Sequence, residues 1–251
     1  MKNEFIKFND YSLILDDEIR LKNINLMIKK NTILTIIGPS RAGKVNLLRS
    51  LNLTNQLFHK KVETRGEISI DKTNIIQNYD LSYLRRKNAY ISAKPIMYNG
   101  TVWDNLTLGV KIHNVPEKYW ANYIRYSLDA LESWEYFKDK LDLSVKKLSK
   151  LDQLKISFAR VIALNPNILL VEDFTRYIDI SAFLEFSDVF IKLRRKFTIL
   201  MVCYDNKHAA KLGTHTLLLI DGRVIECNET RRFFERPAKK ETEEYLSGKF
   251  F

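Results

Sequence analysis

Gly38-Pro39-Ser40-Arg41-Ala42-Gly43-Lys44-Val45 is the stretch on which the reading of this chain turns. It follows the apolar run Ile33–Ile37, which has the make-up of a buried strand. Leu47, Leu48 and Leu51 come directly after it at helical spacing. A strand, a glycine-bearing loop and a helix form the setting in which the pattern G-x-x-x-x-G-K-[ST] wraps a phosphate group. Backbone N–H groups and the N-terminus of the helix then point at phosphate oxygens, and Lys44 adds a positive charge. The pattern holds at every position but the last. Val45 stands where a hydroxyl would hold Mg²⁺, and valine has no oxygen to offer. Asn46 is adjacent, but on a helix it points about 100° away and is not expected to substitute. Phosphate cradling is expected to survive, with metal-assisted hydrolysis weakened.

On either side of the loop, residues 5–8, 24–28, 66–70 and 89–92 read as strands. From Thr101 to about Leu164 the period turns helical, with Leu106, Ile124, Leu128 and Leu131 along the apolar stripe. After Pro166 strand and helix alternate through Ile168–Val171, 182–193, Thr198–Val202 and Asn206–Leu212. A hairpin follows, 216–220 and 224–227, turning through Asp221-Gly222, and the charged tail after Pro237 reads as a short helix. This order predicts an α/β fold: a P-loop NTPase core with a mostly parallel sheet, antiparallel β elements and a helical insertion. The expected division is a single domain, 1–251, with 1–95 and 165–251 as the core and about 96–164 as a helical subdomain.

Composition narrows the class without naming a partner. The 251 residues are 45% hydrophobic and 28% charged, enough to bury a sizeable core. The 41 basic and 30 acidic residues leave a net charge of +11, but the basic residues come as scattered pairs such as Lys29-Lys30 and Arg194-Arg195. Charge alone suits nucleic acid, an anionic membrane surface or phosphorylated ligands. No aromatic–basic module accompanies it, so nucleic acid is not expected as a partner. Cys203 and Cys227 have no metal-ligand spacing and are too few for a disulfide framework, which points to a reducing compartment. Acidic residues close to Met1-Lys2-Asn3 argue against a signal peptide, and no apolar run approaches the ~20 residues of a membrane helix. Any work at a membrane is expected from its side.

Further motifs arrive in a family's order: Asp104-Asn105-Leu106, then Leu148-Ser149-Lys150-Leu151-Asp152-Gln153, then Ile168-Leu169-Leu170-Val171-Glu172-Asp173. With Leu21-Lys22-Asn23-Ile24-Asn25-Leu26 ahead of the loop, the chain resembles an ABC nucleotide-binding subunit along almost its whole length. Lys94-Pro95 before Trp103-Asp104-Asn105, and the tail from Pro237 to Gly248, are most similar to the phosphate-import subunit.

That resemblance implies ATP as cofactor, held at Gly38, Pro39, Ser40, Arg41, Ala42, Gly43, Lys44 and Val45. It implies two subunits, alike or different, closing over two nucleotides, each loop facing the partner's signature motif. It also implies membrane permease subunits docked at the helical segment, on the cytoplasmic side of the cell membrane. The signature Leu-Ser-Gly-Gly-Gln falls on Leu148, Ser149, Lys150, Leu151 and Asp152, so Ser149 is kept as a γ-phosphate contact and both glycines are lost. The metal-binding Asp and catalytic Glu fall on Glu172 and Asp173, an inverted pair in which Glu172 would serve Mg²⁺. Each carboxylate has the wrong length by one methylene, and a shift of ~1 Å in a general base costs about a hundredfold in rate. The sensor glutamine falls on Ala93, the switch histidine on Tyr204 with His208 a turn beyond, and the adenine-stacking aromatic near Ile14 or Leu15. The D-loop aspartate is kept as Asp179. Together these departures lead to an expectation of poor hydrolysis or none. The chain then reads either as a nucleotide-responsive importer subunit or as a non-catalytic scaffold or regulator of phosphate uptake. The same resemblance puts the family's membrane-partner groove in the block that carries Trp103, Trp120 and Trp134, whose rings are expected mainly in the core.

Overall fold

The computed structural model describes residues 4–77 and 80–249; Met1–Asn3, on which the reading of the chain's start draws, lie outside the described residues. Two sheets stack with a helix between them. The first holds β1 (Glu4–Leu15), β2 (Glu18–Lys29), β4 (Val62–Ile70) and β5 (Thr73–Asn74), all antiparallel, in the order β2-β1-β4-β5. The second runs β10-β9-β3-β8-β7-β6, from β3 (Ile33–Ile37), β6 (Asn88–Ile91), β7 (Ile168–Val171), β8 (Thr198–Val202), β9 (His215–Ile220) and β10 (Arg223–Glu229). Strands β9, β3, β8, β7 and β6 are parallel neighbours, and β10 closes the edge antiparallel to β9.

The parallel strands are buried on both faces, which is why they read as unbroken apolar runs. Alternate residues feed two cores. Leu34, Ile36, Ile168, Leu170, Leu200 and Val202 face the first sheet and α1 (Lys44–Ser50), whose Leu47 and Leu48 are fully buried there. Ile33, Leu169, Val171, Ile199 and Met201 face the helices on the other side. Those helices are α3 (Val102–Ile112), α4 (Trp120–Ala130), α5 (Trp134–Phe137), α6 (Lys150–Ile162), α7 (Ile180–Leu193), α8 (Asn206–Leu212) and α9 (Thr230–Glu235); α2 (Leu81–Lys87) precedes β6, and α10 (Lys240–Leu246) ends the described chain. The mixed α/β architecture is the one expected from the sequence.

Between Thr101 and α6 every regular element is helical. Thr101 begins that segment with a capping box: its hydroxyl accepts from the Asp104 N–H, and the Asp104 carboxylate accepts from the Thr101 N–H. Trp103 and Trp134 pack against the helical core as partly buried residues, and the Trp120 indole donates to the Val115 carbonyl. The three tryptophans therefore sit at the rim of the core, not at its centre. Among the described residues no helix is long and apolar enough to cross a membrane.

Candidate phosphate-binding site

Strand β3 ends at the C-terminal edge of the parallel sheet, and the chain turns there before α1 begins at Lys44. Two glycines make the turn. Gly38 has φ +143°, and a Cβ on it would stand 2.0 Å from the Leu219 carbonyl oxygen. Gly43 has φ +97°, and its Cβ would stand 2.9 Å from the Arg20 carbonyl oxygen. Side chains are excluded at both positions by conformation and by space. Arg41 also adopts a left-handed φ of 64°, a cost of about 1–2 kcal/mol for a residue with a Cβ, which the surrounding turn sustains.

Lys44 is only 4% exposed, and its ammonium donates to the carbonyl oxygens of Gly38 and Pro39 at 2.6 Å each. Burial pushes its pKa down to about 8, against the opposing pull of the Asp173 carboxylate. The ring of Tyr204 lies 4.9 Å from the Lys44 ammonium. Gly38 through Lys44 thus form a curled loop that folds over the Lys44 ammonium.

The side chains at and beside the expected metal positions are committed elsewhere. Val45 packs against the core between the sheets, and the carboxamide of Asn46 is paired with that of Asn55 at 3.2 Å. Glu172 and Asp173 continue β7 and diverge, as successive strand residues do. Glu172 turns to the inter-sheet side, where it accepts from Arg49 Nη2 at 3.1 Å, from the Tyr90 hydroxyl and from the Ala93 N–H at 3.1 Å. Arg49 lies one helical turn past Val45, so the longer glutamate is paired with a built-in cation. Asp173 is 3% exposed. Its Oδ1 accepts from the Thr175 N–H at 2.9 Å and hydroxyl at 2.6 Å, and its Oδ2 from the Tyr204 N–H at 2.6 Å. Mg²⁺ needs oxygen ligands in near-octahedral array. Val45 has none, Glu172 is drawn to Arg49, and among the described residues no cluster of three His, Cys, Asp or Glu could hold a metal ion. The donors present do not fit that ion.

The other motif positions have local partners. The Ser149 hydroxyl caps α6, accepting from the Asp152 N–H at 3.1 Å, while Lys150 is exposed and Leu151 packs on the helical core. Asp179 caps α7 through the Ala182 N–H at 2.9 Å. His208 packs on Phe183, with ring centroids 4.0 Å apart and the planes tilted by 35°. Ile14 and Leu15 are buried in β1, so neither presents a face to a base. Ala93 contributes its backbone alone, to Glu172.

Three residues escaped the sequence reading. Arg49 and Tyr90 engage Glu172, and Arg176 stacks on Tyr204 with its guanidinium 4.9 Å from the ring centroid. Arg49 had a usable signal, a basic residue at i+4 from Val45 on the helix after the loop. Arg176 had none, because its neighbour Tyr204 is brought to it only by the sheet.

Beside the site runs a cleft of about 480 Å³, whose lining includes Arg49, Phe58, Tyr90, Tyr98, Arg160 and Glu172. Phe58, Ile96 and Tyr98 are more than half exposed along it.

Residues 21–176 match the family described as ABC transporter. The chain is 32% identical over 246 residues to the phosphate import ATP-binding protein PstB 1 of Bacillus licheniformis, covering 97% of this chain and 95% of that protein. It is 29% identical over 246 residues to phosphate import ATP-binding protein PstB 2 of Shouchella clausii, covering 98% and 91%. Among solved structures it resembles cbiO1 of Clostridium perfringens, part of the ABC transporter complex cbiONQ, with TM-score 0.82, 19% identity and coverage of 98% and 97%. It also resembles a bacterial Atm1-family ABC exporter with ATP bound, with TM-score 0.78 and 18% identity, over all of this chain and 42% of that one. At these identities the two structures speak for the fold alone.

Proposed function

The chain belongs to the ABC transporter family as an ATP-binding subunit of the phosphate-import type, and from that premise we propose that it binds ATP at loop 38–45 while hydrolysing it poorly or not at all. The observation that carries this reading is the contrast between an intact loop and spent carboxylates. Gly38, Gly43 and Lys44 keep the phosphate cradle, whereas Asp173 and Glu172 already accept hydrogen bonds on every oxygen. A general base must be aimed at the attacking water, and these bonds aim both carboxylates at groups of the protein. Asp173, fixed by three donors and buried, serves as a clamp.

The subunit would work from the cytoplasmic face of the cell membrane, paired with a second ATP-binding subunit, alike or different, and joined to permease subunits of a phosphate-type importer. We place the permease contact at the cleft beside Glu172, where Phe58, Ile96 and Tyr98 expose apolar surface next to the helical segment, 96–164, taken as the subdomain. With a competent partner subunit, this chain would contribute binding and closure while the partner's site does the chemistry. The alternative, a scaffold or regulator of phosphate uptake, draws on the same committed carboxylates.

The test is nucleotide binding and turnover by the purified chain, alone and mixed with an intact paralogue. ATP should bind weakly and with little dependence on Mg²⁺, and turnover alone should not exceed that of Lys44→Ala. Tight, Mg²⁺-dependent binding, or hydrolysis clearly above that control, contradicts the proposal. Loss of phosphate uptake on Lys44→Ala in the assembled transporter favours the importer role; unchanged uptake favours the scaffold.

A further inference from the structure

Tyr204 stands half exposed at the mouth of the loop with two cations on its ring. The Lys44 ammonium and the Arg176 guanidinium each lie 4.9 Å from its centroid. Arg176 is exposed, on the short 3₁₀ turn Thr175–Tyr177 that follows Asp173. One buried carboxylate assembles the group. Asp173 Oδ1 holds the N–H and hydroxyl of Thr175, and Asp173 Oδ2 holds the N–H of Tyr204. The turn carrying Arg176 and the strand end carrying Tyr204 are thereby fastened to one side chain next to Lys44.

Among the described residues neither Lys44 nor Arg176 has a carboxylate within ion-pair distance. A ring face offsets a cation only in part and does nothing for the repulsion between two of them. The Asp173 carboxylate pulls on Lys44 without reaching ion-pair distance, so the two cations beside a loop whose N–H groups favour anions are matched by a ligand carrying more than one negative charge. Lys44 lies inside the loop, its ammonium on the Gly38 and Pro39 carbonyls. Arg176 lies outside it, on the exposed turn after Asp173 and against the same Tyr204 ring. The donor set around the loop does not fit a divalent cation, so the remaining phosphate charge has to be met by side chains.

We propose that Arg176 binds the terminal phosphate of a nucleoside triphosphate and, with Lys44, neutralises it without a divalent cation. The site then distinguishes triphosphate from diphosphate by a guanidinium, whose planar fork suits phosphate oxygens. This rests on the reading that loop 38–45 binds nucleotide, and ADP affinity, which draws on the loop and not on Arg176, separates the two claims.

The experiment titrates the full-length chain with ATP and with ADP, by calorimetry, in excess EDTA and again in Mg²⁺. The unaltered chain should bind ATP about tenfold more tightly than ADP in EDTA, with little change on adding Mg²⁺. Arg176→Ala should bring the ATP:ADP affinity ratio close to one while leaving ADP affinity unchanged, and Arg176→Lys should restore part of the preference. Arg176 is exposed, so a circular-dichroism melt should coincide with that of the unaltered chain, and ADP affinity provides a second check on folding. An ATP preference in EDTA that survives Arg176→Ala overturns the proposal and leaves the loop reading standing. A preference that emerges only with Mg²⁺ overturns it as well. Absence of binding by either nucleotide to the unaltered chain removes both.

Discussion

Lys44 carries two opposite pH trends. Its pKa of about 8 in the folded chain lies below the 10.5 of a free lysine, so between those values the folded state binds fewer protons than the unfolded one. Stability should therefore rise as pH climbs from about 8 toward 10.5, by up to a few kcal/mol for a group so deeply buried. Nucleotide affinity should fall over the lower part of that window, because the neutral amine no longer attracts phosphate. Denaturant melts and ATP titrations from pH 7 to 10 measure both, and Lys44→Met should flatten both. A second prediction concerns metal dependence. Val45→Ser alone should leave ATP binding insensitive to Mg²⁺, because Glu172 stays paired with Arg49 and Tyr90. Val45→Ser with Glu172→Asp should make it Mg²⁺-dependent, since the shorter carboxylate no longer reaches the guanidinium; titration of both variants with and without EDTA decides. The loop was legible at this scale because its constraint is local: glycine where a Cβ strikes backbone, lysine at the helix start. The fates of Glu172 and Asp173 were not, because Tyr90 and Tyr204 come from other strands.

Elements were legible where burial made them unbroken. Strands β3, β7 and β8 fall where their apolar runs lie, since a strand covered on both faces has no polar position to blur its ends. Strand β1 is longer than the stretch 5–8 read from the sequence. Asn9-Asp10 interrupts the alternation, and the strand continues through an irregularity in which Asp10 takes φ 45° and the register with β2 shifts between Phe8 and Tyr11. The start of α6 is set by Ser149, whose hydroxyl serves as the helix cap. Ser149→Ala should cost about 1 kcal/mol, or roughly 2–4 °C in melting temperature for a chain of this size. A calorimetric scan checks it, and ATP binding by the isolated chain should not move, because the resemblance directs this residue at a partner's loop.

For the whole molecule, the order of strands and helices disclosed the architecture, and the cleft beside Glu172 remained hidden. Its walls come from the stretch after α1, from β6 and its following loop, and from α6, segments remote in sequence that only the folded sheet gathers. Phe58→Ala with Tyr98→Ala should weaken co-purification with permease subunits from membranes while leaving ATP affinity of the free chain unchanged. Retention at the unaltered level would move the docking surface elsewhere.

Helix α1 reaches from one of these places to the other. Lys44 begins it, and Arg49, little more than a turn further on, looks into the cleft. The stem joining them is a rigid rod of only about 8 Å, wedged by Leu47 and Leu48 between two sheets. Such a stem has no slack: a carboxylate from outside that drew Arg49 off Glu172 would shift the balance of charge within about 8 Å of Lys44, with no hinge to absorb the message.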